Sequence, residues 1–238
     1  MSWKSWYALF CLIGVVLAAP AKKHTRSVVP SWHRPCRSSS SYGFAYSSVE
    51  EEETSSQEYP DASVEDIIRE RLDILKLQHQ MTLEDYLVRD YEYFYEKVRI
   101  GIRDHQYIPN WLPGKSDAAS IRRLRTESQQ MIANHFPKLY TDLQKFAVAL
   151  EQLFEDETDA QLAQALDKTQ ASLKTMLCEV ENSIDALTTL TRPINISRSI
   201  MTYTERNPID DTRRLVRDWG VLLKYRDYLH AWKHVFDY

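Results

Sequence analysis

Apolar positions recur every three or four residues along four long stretches of the chain, which is the period of an α-helix with one buried face. The first stretch runs from about 64 to 105, and the second begins at Pro137, a residue type favoured at the first helical position. The third follows Thr158, and the fourth runs from Asn207 to the last residue shown. This pattern predicts an all-α domain over residues 63–238.

The links between these predicted helices have very unequal lengths. About 30 residues separate the first two helices, a few residues separate the second from the third, and about 17 precede the fourth. Short links join antiparallel neighbours, whereas long links allow a crossover along the whole bundle. Long, short and long links predict a four-helix bundle of up-up-down-down topology, and an up-down-up-down bundle with long loops remains the alternative.

Residues 1–62 have the character of a targeting and leader region. Residues 1–21 carry Lys4 followed by an apolar run of about a dozen residues and small residues at the end, which is typical of a secretory signal peptide. Residues 22–62 are rich in serine and include an acidic run at 50–53, so we expect a disordered leader. No later stretch is long and apolar enough to span a membrane. We therefore expect a secreted, extracellular protein whose mature chain does not insert into a membrane.

The cysteines acquire a specific meaning in a secreted chain. Cys11 lies in the predicted signal peptide, which leaves Cys36 and Cys178 in the mature chain. A single disulfide is the simplest expectation in an oxidising compartment, with unpaired thiols or an intermolecular bridge as alternatives. The stretch from Arg34 to Arg37 also resembles a proprotein-convertase site, and cleavage after Arg37 would remove Cys36. Both interpretations stay open at the level of sequence.

Composition excludes several classes of function. With 5 glycines in 238 residues, the chain lacks the turns of an all-β fold and the glycine-rich loops that hold phosphates. A formal net charge of −4 gives no basic footprint for nucleic acid. His230 and His234 could share a helix face, but no third metal ligand is placed by the sequence. We expect no enzyme, no metal and no cofactor.

A glycosylation sequon occurs in the last predicted loop. Asn195, Ile196 and Ser197 form the acceptor pattern Asn-x-Ser. Such sequons belong on exposed loops of secreted proteins, so Asn195 is a candidate glycosylation site.

The fourth predicted helix carries more aromatic residues than one buried stripe requires. They are Trp219, Tyr225, Tyr228, Trp232, Phe236 and Tyr238. On a helix with one buried face, Tyr225, Tyr228 and Trp232 cannot all point inward, so we expect some of them at the surface. Exposed aromatic side chains commonly anchor protein interfaces.

Two segments resemble helices of a known family. Residues 222–236, Leu-Leu-Lys-Tyr-Arg-Asp-Tyr-Leu-His-Ala-Trp-Lys-His-Val-Phe, resemble the fourth helix of the interleukin-6-type cytokines, with leukaemia inhibitory factor and oncostatin M as the most similar members. Residues 142–156 are similar to the second helix of ciliary neurotrophic factor. Oncostatin M and its relatives have an N-terminal cysteine bridged to the third helix, a role that Cys178 fits. Invertebrate Unpaired-type cytokines share the same architecture.

The resemblance implies a monomeric ligand that clusters cell-surface receptors of the glycoprotein-130 class and activates JAK–STAT signalling. Some family members bind a second receptor chain through a Phe-x-x-Lys motif, but Thr212 and Leu215 stand at those two positions here. Other positions on the last helix and in the first long loop are candidates for receptor binding: Trp111, Arg213, Arg217, Tyr228 and Trp232.

A secreted carrier of lipid or another hydrophobic ligand is the alternative function. Such a carrier needs helices that open around an apolar cavity. The predicted helices carry single apolar stripes, which favour a closed bundle and the cytokine interpretation.

Overall fold

All regular elements in the described part of the protein are helices. The computed structural model describes residues 29–36, 63–86 and 107–238, and it contains no strand in these ranges. The all-α fold expected from the sequence is therefore confirmed for these residues. The predicted signal peptide, most of the predicted leader and the second half of the first predicted helix lie outside them.

Four long helices and several short ones make up the fold. The long helices are α1 (Val64–Glu84), α4 (Phe136–Asp156), α5 (Ala160–Asp185) and α7 (Asp211–Phe236). The short ones are α2 (Lys115–Arg123), α3 (Gln129–Ala133) and α6 (Tyr203–Arg206), with single 3₁₀ turns at Ser31–His33, Leu124–Thr126 and Arg198–Ile200. None of the helices described is both long enough and apolar enough to cross a bilayer.

Each long helix packs between two others around one shared core. Helix α1 packs against α5 and α7, and α4 packs against the same two helices. Among the described residues, no comparable packing joins α1 to α4 or α5 to α7. The apolar stripes seen in the sequence therefore converge on a common interior.

Hydrogen bonds between α1 and α7 establish their relative direction. His79 Nδ1 lies 2.6 Å from the hydroxyl oxygen of Tyr238, and the Tyr86 hydroxyl donates to the carbonyl oxygen of Leu222 at 2.8 Å. The partner on α7 moves back along the chain as the residue on α1 moves forward. The two helices are antiparallel.

The contacts between α4 and α7 also run in opposite directions along the two helices. The Tyr228 hydroxyl donates to Asp142 at 3.2 Å, and Arg217 donates to Asp156 at 2.7 Å. A link of only three residues, 157–159, turns the chain from α4 into α5. Helix α4 is therefore antiparallel to α7, and the short link makes it antiparallel to α5.

Helix α7 is buried on more than one face. Tyr225, Tyr228 and Trp232 are each at most 2% exposed, so the expectation that some of them reach the surface is wrong. The reason is that α2 packs along α7, in addition to α1 and α4. A helix with neighbours on three sides buries a much wider arc than the single stripe assumed from the sequence.

A short N-terminal segment, Val29–Cys36, is fixed to the helices. Trp32 is 1% exposed and its indole nitrogen donates to the carbonyl oxygen of Ile196 at 2.8 Å. Cys36 forms a disulfide with Cys178 of α5, which confirms the pairing expected from the sequence. The expectation of disorder from 22 to 62 is wrong for this segment, because average composition does not register one buried tryptophan and one crosslink.

Trp32→Ala should lower the free energy of unfolding by about 3 kcal/mol, because it removes a fully buried aromatic side chain and its hydrogen bond. Urea unfolding followed by circular dichroism measures the change. Tyr203→Ala is the matched control, since that ring is 79% exposed and its loss should cost under about 0.5 kcal/mol. Equal losses in the two variants would contradict the anchoring role of Trp32.

His79 is a buried histidine on α1 that faces the end of α7. Burial lowers its pKa to about 3, and the nearby positive charge of Lys233 acts in the same direction. Since the unfolded chain has the ordinary pKa of 6.5, it takes up this proton first as the pH falls. Stability linked to His79 is complete above pH 6.5 and is lost between about pH 6.5 and pH 3.

We expect the wild-type protein to lose about 2 kcal/mol of unfolding free energy through His79 between pH 7.5 and pH 5, and His79→Gln to lack this part of the pH dependence. Urea midpoints at both pH values give the comparison. His234→Gln is the matched control for the loss of one histidine, because that side chain is exposed. Parallel pH profiles for wild type and His79→Gln would overturn the assignment.

Candidate functional site

One surface combines exposed apolar side chains with charged ones at the beginning of α7. It is built from the loop before α2, from α6 and from the first turn of α7. We call it the α7-start surface and define it by Tyr107, Trp111, Tyr203, Glu205, Ile209 and Arg213. An open groove of about 650 Å³ is lined by four of these residues, Tyr107, Glu205, Ile209 and Arg213. Trp111 and Tyr203 are next in sequence to other residues of its lining.

Trp111 and Arg213, both candidates from the sequence, lie in this surface. The indole nitrogen of Trp111 donates to Glu205 at 3.0 Å, which ties the loop before α2 to α6. The guanidinium carbon of Arg213 lies 4.7 Å from the centre of the Tyr107 ring, within the range of a cation–π contact. These contacts bring residues from three separate segments into one continuous surface.

Two large apolar side chains in this surface face solvent. Tyr203 is 79% exposed and Ile209 is 85% exposed. Single exposed apolar residues are common, but a group rimmed by charged residues is typical of a protein-binding surface. Sequence reasoning missed both residues. The sequence marks them as apolar residues within a polar loop, at positions that do not follow the helical period.

The loop before α2 is held on α7 by a close backbone approach. A Cβ atom at Gly220 would lie 2.3 Å from Cγ1 of Ile108, so the absence of a side chain at this position lets the loop pack down. Lys224 donates to the carbonyl oxygens of Pro109 at 2.7 Å and Leu112 at 3.3 Å. The position of Trp111 therefore depends on contacts with the third and fourth turns of α7.

Arg217 is buried beneath the surface. It is 1% exposed and donates to Asp156 at 2.7 Å and to the carbonyl oxygens of Glu205 at 2.9 Å and Arg206 at 3.3 Å. Its interpretation as a receptor contact is wrong, because its donors are taken up by groups of the protein. Arg217 instead positions α6 against the end of α4.

Asp218 is half-buried and completes the network around Arg217. Burial raises its pKa to about 6, and the pairing of its carboxylate with Arg217 at 2.7 Å opposes that rise. Because the ordinary pKa is 3.8, ionisation of this carboxylate lowers stability as the pH rises from about 3.8 to about 6, and the cost is complete above that range. The charge of Arg217 offsets part of this cost.

Tyr228 and Trp232 are also corrected, because both belong to the core. Burial, and then the neighbouring Asp142 carboxylate, raise the pKa of Tyr228 well above its ordinary value. Trp232 is 1% exposed and stacks on Phe236 with the ring centres 5.5 Å apart. Neither side chain can contact a receptor on this folded chain.

The histidine pair on α7, His230 and His234, was considered as part of a metal site. His230 is half-buried and His234 is exposed. Across residues 29–36, 63–86 and 107–238, no three histidine, cysteine, aspartate or glutamate side chains form a group that could hold a metal ion.

No family model, no curated protein and no solved structure matches the chain significantly. The resemblance of residues 222–236 to the interleukin-6-type cytokines therefore stays a prediction from the sequence.

Arg217→Ala should lower the free energy of unfolding by about 3 kcal/mol, because it leaves the half-buried carboxylates of Asp156 and Asp218 and two carbonyl oxygens without their donor. Arg213→Ala should cost about 1 kcal/mol or less, since that side chain is partly exposed. Urea unfolding of both variants tests the distinction between a positioning residue and a surface residue. A larger loss for Arg213→Ala would reverse the assignment.

Proposed function

We propose that the four long helices form an up-up-down-down bundle of the long-chain cytokine type. In that topology the first and second long helices are diagonal, as are the third and fourth. The neighbour pairs in this protein, α1 with α5 and α7, and α4 with α5 and α7, support it. An up-down-up-down bundle would instead require close packing of α1 on α4, which are consecutive long helices. The antiparallel contacts of α7 with both α1 and α4 also agree with the proposal.

The proposed function is that of a secreted cytokine, which binds and clusters cell-surface receptors of the glycoprotein-130 class and thereby activates JAK–STAT signalling. The observation that carries it is the α7-start surface, where Tyr203 and Ile209 are presented to solvent beside Arg213. A few such anchors dominate the affinity of most protein interfaces. The mechanism is binding alone, because receptor proximity transmits the signal.

Clustering needs at least two separate surfaces on one ligand. Leu77 and Met81, four residues apart on α1, are 61% and 55% exposed and form a second apolar surface. Because His79 contacts Tyr238, this stripe lies at the level of the end of α7. The start of α7 is about 35 Å away along that helix, at 1.5 Å per residue. Two receptor chains could therefore bind without overlapping.

The α7-start surface includes the region in which some family members carry Phe-x-x-Lys. Thr212 and Leu215 occupy the corresponding positions, and Leu215 is 38% exposed. Here a cation and an aromatic ring come from Arg213 and Tyr107 instead. We therefore expect a receptor chain different from the one that reads Phe-x-x-Lys.

The direct test is STAT phosphorylation in cells of the source organism that carry glycoprotein-130-class receptors. Purified mature protein, checked for helicity, should give a dose-dependent signal that disappears on receptor knockdown. Silence from well-folded protein would overturn the proposal. Lipid found bound to that protein by native mass spectrometry would then favour the hydrophobic-ligand carrier.

Ile209→Asp combined with Arg213→Glu should raise the half-maximal concentration for this signal at least about tenfold, which corresponds to about 1.4 kcal/mol of binding free energy. Thr189→Glu is the control, because it adds a charge at an exposed position beyond α5. All three proteins should have the same circular dichroism spectrum. Equal potency of the double variant and the control would remove the α7-start surface from the receptor interface.

A further inference from the structure

The sequon sits in an ordered loop between α5 and α6. Asn195 and Ser197 are both exposed, and the neighbouring Ile194 is 92% exposed. The receptor proposal uses none of these residues. A glycan on the folded loop has to leave the contacts of that loop in place.

Gln144, on α4, fixes the orientation of the Asn195 side chain. Gln144 is fully buried, and its Oε1 accepts a hydrogen bond from the backbone N–H of Ile196 at 2.7 Å. Since a backbone N–H can only donate, the oxygen of the Gln144 amide must face Ile196. Its nitrogen then faces Asn195 and donates to Oδ1 at 3.4 Å.

This contact leaves the reactive atom of Asn195 available. The side-chain amide is planar, so turning Oδ1 toward Gln144 turns Nδ2 away from it. Within the described ranges, no hydrogen bond engages Nδ2, which is the atom that carries an N-linked sugar. The folded loop therefore keeps its contact with Gln144 when Nδ2 is substituted.

The other side of the sequon is held by the N-terminal segment. The carbonyl oxygen of Ile196 accepts from the indole nitrogen of Trp32 at 2.8 Å and lies 3.2 Å from Nε2 of His33. The loop is thus pinned both to α4 and to the segment that Cys36 crosslinks to α5. A glycan at Asn195 would project from a fixed point on the surface.

We propose that Asn195 carries an N-linked glycan in the secreted protein, that it covers Ile194, and that it leaves the α7-start surface free. In the transfer, Nδ2 bonds to C1 of the oligosaccharide of a lipid-linked donor. The bond from C1 to the lipid pyrophosphate breaks, and Nδ2 gives up one proton. Gln144 lies three turns before the end of α4, about 18 Å from the level of Asp156 and the start of α7. The site depends on the secretion that is part of the proposed function.

The experiment expresses the full chain in a cell line with an intact secretory pathway and examines both medium and cell lysate. Wild type from the medium should show a discrete drop in mass after treatment with an amide glycosidase, with conversion at Asn195 located by peptide mass spectrometry. Ser197→Ala should abolish the drop while leaving Asn195 and Gln144 intact. Ser199→Ala, an exposed serine outside the sequon, should retain it.

Each outcome separates the glycan from the secretion on which it depends. Wild type in the medium without a glycan would overturn the glycosylation proposal and leave secretion standing. Unglycosylated protein retained in the cell would overturn both. A glycosylated wild type whose STAT signal matches that of Ser197→Ala within twofold supports the stated position of the glycan. A tenfold change in potency would overturn it.

Discussion

The burial of α7 by three other helices is the constraint on which the rest of the structure depends. Helices α1 and α4 pack on it from the two sides of the core, and α2 packs along it as well. This arrangement removes a wide aromatic arc from solvent, including Tyr225, Tyr228 and Trp232. Deleting any one of these rings leaves a cavity that neighbouring helices fill only in part. The aromatic richness of the last helix is therefore primarily a packing feature.

Polar groups inside this packing determine how the surface is arranged. Arg217 reaches from α7 to Asp156 at the end of α4 and to two carbonyl oxygens at the end of α6. A buried guanidinium is stable only when its donors are satisfied, so the three helix ends are held in one relative position. The α7-start surface lies directly above this network. The shape of this surface thus depends on a buried arginine whose contacts are all within the protein.

The N-terminal segment and the loop between α5 and α6 stabilise one another. Trp32 donates to Ile196, whose N–H is in turn bound to the buried Gln144 of α4. The disulfide from Cys36 to Cys178 closes the same region covalently and limits the freedom of the unfolded chain. The buried Trp32 and the disulfide of Cys36 together explain how a segment within a serine-rich, polar region becomes part of the domain.

The sequence by itself determined the all-α class and the approximate extents of α4, α5 and α7, because these follow from local periodicity. It made a disulfide between Cys36 and Cys178 the simplest expectation, and the structure decided in favour of that pairing. It also identified Trp111 and Arg213 as surface residues. Only the tertiary structure decided that Trp232 is buried and that Trp32 is anchored. Local periodicity reports one face of one helix, whereas burial depends on how many neighbours surround that helix. The number of neighbours around α7 is set by the packing of α2 along it and by contacts between residues far apart in the chain.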